Sequence, residues 1–248
     1  QKRGVGWLGF LGSLGLGALL ADDMGLGKTV QVIAYVLGEL KNPCGPFLII
    51  CPTSVIGNWV CEFARFAPSL RVTVHYGAER NEAETFARQA GASDVVITSY
   101  SLSWRDVDEL ASVSWFLAVL DEAQNIKNPF SKQAQCVKRI KARHRVALTG
   151  TPVENRLSDL WSIMDFLNPG YLYSWVEFKE RFVKPIEVDG DAEKKTALRG
   201  ALSSIILRRV KTDKTIINDL PEKIEVNERC YLTSEQASLY KAIVDSSL

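Results

Sequence analysis

The sequence predicts an α/β fold, a parallel sheet flanked by helices. Three observations predict it. Short apolar runs alternate with stretches whose apolar residues recur at helical spacing, the pattern of right-handed strand–helix–strand crossovers. A Gly-rich loop, Asp22-Asp23-Met24-Gly25-Leu26-Gly27-Lys28-Thr29, separates one such run from one such helix. An acidic pair, Asp121-Glu122, ends the clearest apolar run, Phe116-Leu117-Ala118-Val119-Leu120.

The elements follow in order. Residues 1–14 read as a helix with Val5, Leu8 and Leu11 on its apolar side, and residues 16–21 as a short strand. Ile33, Val36, Leu37 and Leu40 mark a helix after the loop. The run 47–51, bounded by Pro46 and Pro52, suits a strand buried on both faces. Thr53 or Ser54 is the expected N-cap of the next helix, whose apolar side carries Val55, Ile56, Trp59, Val60, Phe63 and Phe66. Strands are expected at 71–75, 95–98 and 146–148, and helices at 79–90 and 132–142. Beyond residue 155 the expectation is helices at 157–167, 176–182, 198–209 and 234–244, a charged loop at 187–195 and a strand at 224–232.

Thirty basic residues against 29 acidic give a net charge of +1, so any nucleic-acid contact must come from a local patch. The basic cluster Lys138, Arg139, Lys141, Arg143 and Arg145 reads better as a solvated face than as such a patch. Five cysteines without a C-x-x-C pair, and two distant histidines, point to a reduced intracellular setting rather than a disulfide framework or zinc site. Residues 5–21 carry no charge, but five glycines interrupt them and they lead directly into the loop, which argues against a signal peptide or membrane span. The chain opens on Gln1 rather than Met and reads as the cut edge of a larger protein.

The loop at 22–29 has the chemistry of a phosphate cradle. Gly25 and Gly27 let backbone N–H groups turn inward, and the following helix adds unpaired N–H groups and its positive dipole end. Lys28 would reach the β- and γ-phosphates, and the Thr29 hydroxyl would hold Mg²⁺. The general pattern G-x-x-x-x-G-K-[ST] has Gly where this chain has Asp22. Asp121 would hold the metal, and Glu122 would polarise the water that attacks the γ-phosphate. Thr149-Gly150-Thr151-Pro152 is a hydroxyl-rich strand end, third in chain order.

Taken with Gln1-Lys2-Arg3-Gly4-Val5, Asp121 through Asn128 and Leu148 through Asn155, these motifs resemble those of the Swi/Snf-type ATPases of helicase superfamily two. Ile206-Leu207-Arg208-Arg209-Val210-Lys211-Thr212-Asp213 and Leu220-Pro221-Glu222-Lys223 are similar to a segment particular to that family. Gln124, where many members have His, matches a variant associated with prokaryotic members.

The resemblance implies a RecA-like ATP-binding lobe at 1–169, a helical protrusion at 170–221, inserted near the C-terminal end of the fold, and a returning strand with linker helix at 222–248. It implies Mg²⁺ and ATP as ligands. Gln1 would read the adenine, and residues 23–29 (Asp23, Met24, Gly25, Leu26, Gly27, Lys28 and Thr29) would bind ATP. Gln124, Thr149, Gly150 and Thr151 would couple nucleotide state to grip on double-stranded DNA, whose backbone Thr53, Ser54, Thr98 and Ser99 would contact. A second RecA-like lobe would supply an arginine finger worth ~10³–10⁵ in rate. The 248 residues alone are therefore expected to bind ATP weakly and hydrolyse it poorly. The expected setting is intracellular, in the cytoplasm or nucleoid of a prokaryote or the nucleus of a eukaryote, with DNA-bound proteins as possible partners and no membrane.

Overall fold

Seven parallel strands run in the order β3-β4-β2-β5-β6-β1-β7 in the computed structural model, which describes residues 1–40, 45–77, 83–150, 156–213, 228 and 231–247. The strands are β1 (Ala18–Leu20), β2 (Phe47–Cys51), β3 (Val72–His75), β4 (Val95–Ser99), β5 (Trp115–Leu120), β6 (Ala142–Leu148) and β7 (Ile206–Leu207). The α/β class and the parallel sheet are as expected.

Each continuous apolar run serves two cores, because successive side chains of a strand point to opposite faces. Leu48 and Ile50 of β2, Ala118 and Leu120 of β5, and Leu19 of β1 pack on one face. Phe47, Ile49, Cys51, Leu117, Val119, Ala18 and Leu20 pack on the other. The first face is covered by α4 (Ala83–Ala92), α5 (Tyr100–Arg105), α6 (Val107–Ser112), α7 (Lys132–Arg139) and α8 (Leu157–Leu167). The second is covered by α1 (Lys2–Ser13), α2 (Lys28–Glu39) and α3 (Ile56–Phe66).

Three expectations need correction. The helix after Ser131 stops at Arg139, and residues 142–148 form β6, so Arg143 and Arg145 lie in a strand. The basic cluster is tied to its own fold: Lys138 pairs with Asp165 (2.8 Å), Arg139 with Asp108 (2.6 Å), and Arg145 donates to the carbonyls of Phe166 and Ile140. No side chain caps the helical turn after Pro52; Thr53 and Ser54 are exposed in a 3₁₀ turn, Thr53–Val55.

The third correction lies at the C-terminal end. After α9 (Trp175–Phe178) comes a π-helical stretch, Lys179–Val188, and then α10, Ala192–Leu202. Asp191 starts α10 by accepting from Lys194 N–H at 2.9 Å, so much of the expected charged loop is helical. The helix expected at 198–209 ends at Leu202, and Ile206–Leu207 pairs in parallel with β1. The strand expected at 224–232 lies mostly outside the described residues, and Tyr231 and Leu232 are not in a strand. Residues 217–248 form a separate unit containing α11, Ser234–Ser247, which Thr233 and Gln236 cap reciprocally.

Candidate active site

The carboxyl ends of β1, β5 and β6 deliver the three motifs to one edge of the sheet, where ligands of open parallel sheets bind. Gly25 (φ +81°) and Gly27 (φ +75°) take left-handed backbone, and Gly27 is the N-cap of α2. A Cβ on Gly27 would lie 2.5 Å from Gln1 Nε2, so the Gln1 amide rests on the loop. Lys28 Nζ donates to the carbonyl of Asp22 at 2.6 Å and, more loosely, to that of Asp23 at 3.4 Å. Burial lowers the Lys28 pKa; Glu122, Asp22, Asp121 and Asp23 act on it in the opposite direction. The ammonium of the loop and the carboxylates at the end of β5 thus share one electrostatic site.

Asp121 is held from two sides. Trp59 Nε1 of α3 donates to its Oδ2 at 2.8 Å, and the Glu122 N–H donates to its Oδ1 at 3.0 Å. Burial raises the Asp121 pKa and the Glu122 charge adds to this, while the two donors and Lys28 oppose it. Tyr100, at the start of α5, donates to the Asp121 carbonyl at 2.8 Å. Glu122 itself sits at φ +52°, a left-handed conformation that costs a non-glycine residue roughly 1–2 kcal/mol. Such strain collects at functional turns. Gln124 Nε2 donates to Glu122 Oε2 at 2.8 Å, and Thr149 Oγ1 donates to Gln124 Oε1 at 3.0 Å. A hydrogen-bonded chain therefore joins the end of β5 to the end of β6.

Other expected residues fall around this centre. Thr29 lies in the first turn of α2. Met24 is exposed, and its Cγ would be 3.3 Å from a Cβ on Gly150, which brings the first and third motifs into contact. Thr151 lies outside the described residues. Thr98 and Ser99 are both fully buried: Thr98 donates to the His75 carbonyl at 3.0 Å, and Ser99 caps α5. In this arrangement their hydroxyls serve the fold.

Sequence reasoning assigned no role at this centre to Trp59, Tyr100, Gln31 or Arg209. Asp22, fully buried, accepts from the Arg209 backbone N–H at 3.0 Å and from its Nε at 2.9 Å. Arg209 Nη2 donates to Asp22 Oδ2 and, at 2.6 Å, to Gln31 Oε1. Gln31 Nε2 returns to the Gly27 carbonyl at 3.2 Å. The residue that breaks the general glycine pattern is thus the anchor of a forked ion pair. The signal was the departure itself, together with an arginine pair beyond β7.

A model of the SNF2-related domain matches residues 1–247. The chain is 50% identical over 98% of its length to the putative ATP-dependent helicase/translocase YwqA of Bacillus subtilis, covering 27% of that protein. It is 40% identical over 98% of its length to the mouse chromatin-remodeling ATPase INO80, covering 16% of that protein. Among solved structures, the Sulfolobus solfataricus SWI2/SNF2 ATPase core in complex with dsDNA is similar, with a TM-score of 0.80 and 48% identity over 98% of this chain and 51% of that one. The chain therefore spans about half of that ATPase core and a smaller share of the curated relatives. With its RecA-like sheet and these three strand-end motifs, the chain belongs to the SNF2 family of ATPases.

Proposed function

We propose that this chain is the N-terminal ATP-binding lobe of an ATP-dependent double-stranded-DNA translocase that remodels protein–DNA complexes. The observation that carries the reading is the convergence of Lys28, Asp121 and Glu122 on one electrostatic site.

Gln1, resting on Gly27, recognises the adenine, and the loop at 23–29 binds the phosphates through its N–H groups and Lys28. The left-handed glycines suit such a loop, because a Cβ on Gly25 would stand 3.1 Å from Lys211 Nζ and one on Gly27 2.5 Å from Gln1 Nε2, crowding the side of the loop that these polar groups face. Thr29 and Asp121 supply a hydroxyl and a carboxylate, the hard oxygen donors that Mg²⁺ takes alongside substrate phosphates. Bound there, Mg²⁺ would neutralise charge developing on the phosphate oxygens. Glu122 orients and deprotonates the attacking water. The chain Glu122–Gln124–Thr149 then gives the base a path to the end of β6, where Gly150 and Thr151 follow and couple hydrolysis to DNA grip.

Thr53 and Ser54 are exposed in a turn beyond β2, as a phosphate-backbone contact requires. The known complex of a structural relative with dsDNA supports a duplex substrate. Residues 1–169 together with the returning strand β7 form the lobe, the helical stretch from 170 to 205 is a protrusion, and 222–248 is a linker towards a second lobe carrying an arginine finger. Without that finger the isolated 248 residues hydrolyse ATP poorly. Among the described residues no helix is long and apolar enough to cross a membrane. The protein works where DNA is, in a prokaryotic nucleoid or a eukaryotic nucleus.

The test uses the full-length protein on two substrates. ATP-dependent displacement of a third strand from a duplex, without separation of a forked duplex, is the expected result. Fork separation without triplex displacement would instead identify a strand-separating helicase. Cellular function that survives Glu122→Gln would identify a nucleotide-dependent scaffold.

A further inference from the structure

The segment after β7 is strapped to the phosphate loop. The Ala21 N–H donates to the Leu207 carbonyl at 2.7 Å and the Asp23 N–H to the Arg209 carbonyl at 3.1 Å. Arg209 grips Asp22 and Gln31, and the Lys211 N–H donates to Asp23 Oδ2 at 2.9 Å. These bonds fix the backbone on both sides of Val210. They aim the Lys211 side chain across Gly25, where an added Cβ would stand 3.1 Å from Lys211 Nζ and 3.5 Å from its Cε. Among the described residues, Lys211 Nζ makes no ion pair.

We propose that Lys211 is a second phosphate-contacting cation of the nucleotide site, placed over Gly25 by the Arg209–Asp22 strap. The inference rests on the reading of residues 22–29 as a triphosphate cradle. Lys28 approaches from the helix side of the loop, folded onto the Asp22 and Asp23 carbonyls. Lys211 approaches from the opposite end, beside Gly25. A triphosphate carries several negative charges, and a compact ammonium on a flexible stem suits it as a point charge. The strap also gives this lysine a consequence for the chain. Nucleotide bound at Gly25 would pull directly on residues 206–211, and so on whatever follows them.

The test is equilibrium binding of a fluorescent ATP analogue and of adenosine to the full-length protein. It compares the wild type, Lys28→Ala, Lys211→Met and Lys211→Arg, with thermal melting of the nucleotide-free proteins as a check on folding. Methionine keeps the length and apolar stem of lysine and removes the charge. Lys211→Met is expected to weaken ATP-analogue binding about tenfold or more, the size of a lost charge-assisted contact. Adenosine binding and melting should be unchanged, and Lys211→Arg should retain most of the affinity. If Lys211→Met binds the analogue as the wild type does, while Lys28→Ala loses it, the role of Lys211 is refuted and the cradle stands. Equal losses for analogue and adenosine would show a structural effect and also refute it. A wild type that binds no ATP analogue would overturn the cradle and Lys211 together.

Discussion

The phosphate loop and the acidic turn lie at the same edge of the sheet but are held in different ways. The loop is shaped by its own sequence, two left-handed glycines and a helix start, and then fastened by one distant segment through a buried forked ion pair. The turn at Asp121 is shaped by strain at Glu122 and held by single hydrogen bonds from three places: Trp59 of α3, Tyr100 of α5 and Thr149 at the end of β6. The loop draws its distant support from one segment, whereas the turn draws it from three. Removing one partner should therefore cost the loop more than the turn.

The largest effect is expected at the strap. Arg209→Ala leaves the Asp22 carboxylate buried without its cation, which should cost about 3–5 kcal/mol of stability by denaturant unfolding. Pairing Asp22→Leu with Arg209→Met should recover most of that, because an apolar pair of similar volume carries no stranded charge. A single substitution that unfolds no more easily than wild type would break the contrast.

Trp59→Phe removes one donor from the turn and should cost about 1.5–3 kcal/mol, the range for a hydrogen bond to a charged group. Because the Trp59 bond lowers the Asp121 pKa, its loss should also move the acid limb of any ATPase pH profile to higher pH. An unmoved acid limb would show that Trp59 is only packing.

Asp121→Asn sharpens the contrast through pH. Burial holds the Asp121 carboxyl above its ordinary value, so its contribution to stability is present below the unfolded pKa and lost as pH rises through the folded one. The amide does not titrate, so the variant should lose this pH dependence and all turnover, while its single acceptor oxygen leaves either Trp59 Nε1 or the Glu122 N–H facing an NH2 group. A stability that falls with rising pH as steeply as the wild type's would contradict this.

The smallest effect is a chemical one. Burial pushes the Cys51 thiol, beneath the turn, up to about 12, whereas Cys61 on α3 is exposed. Iodoacetamide at neutral pH should alkylate Cys61 and leave Cys51 untouched. Cys51 alkylation at the same rate would mean that the turn opens.

The same contrast explains what could be read in advance. The strands at 47–51 and 116–120, the helix after Lys28 and the positions of Lys28, Asp121 and Glu122 were legible because each rests on local period or local turn chemistry. The supports were not. Trp59 reads as core, and it is fully buried as core should be, yet its indole N–H is aimed at Asp121. Arg209 lies 187 positions from the carboxylate it grips. Thr98 and Ser99 share their residue types with Thr53 and Ser54, and only burial separates the first pair from the second. Of the strand Ala142–Leu148, residues 146–148 were legible, and 142–145 were hidden because alternating arginines use their stems and carbonyl contacts where a strand usually places apolar residues.

The central claim is that Lys28 and the carboxylates at the end of β5 act on one nucleotide, and single-turnover cleavage by full-length Glu122→Gln tests it most directly. ATP should bind as to the wild type but be cleaved about 10²–10⁴-fold more slowly, the contribution of a positioned general base. Cleavage at the wild-type rate would show that the acidic turn and the phosphate loop do not serve the same reaction.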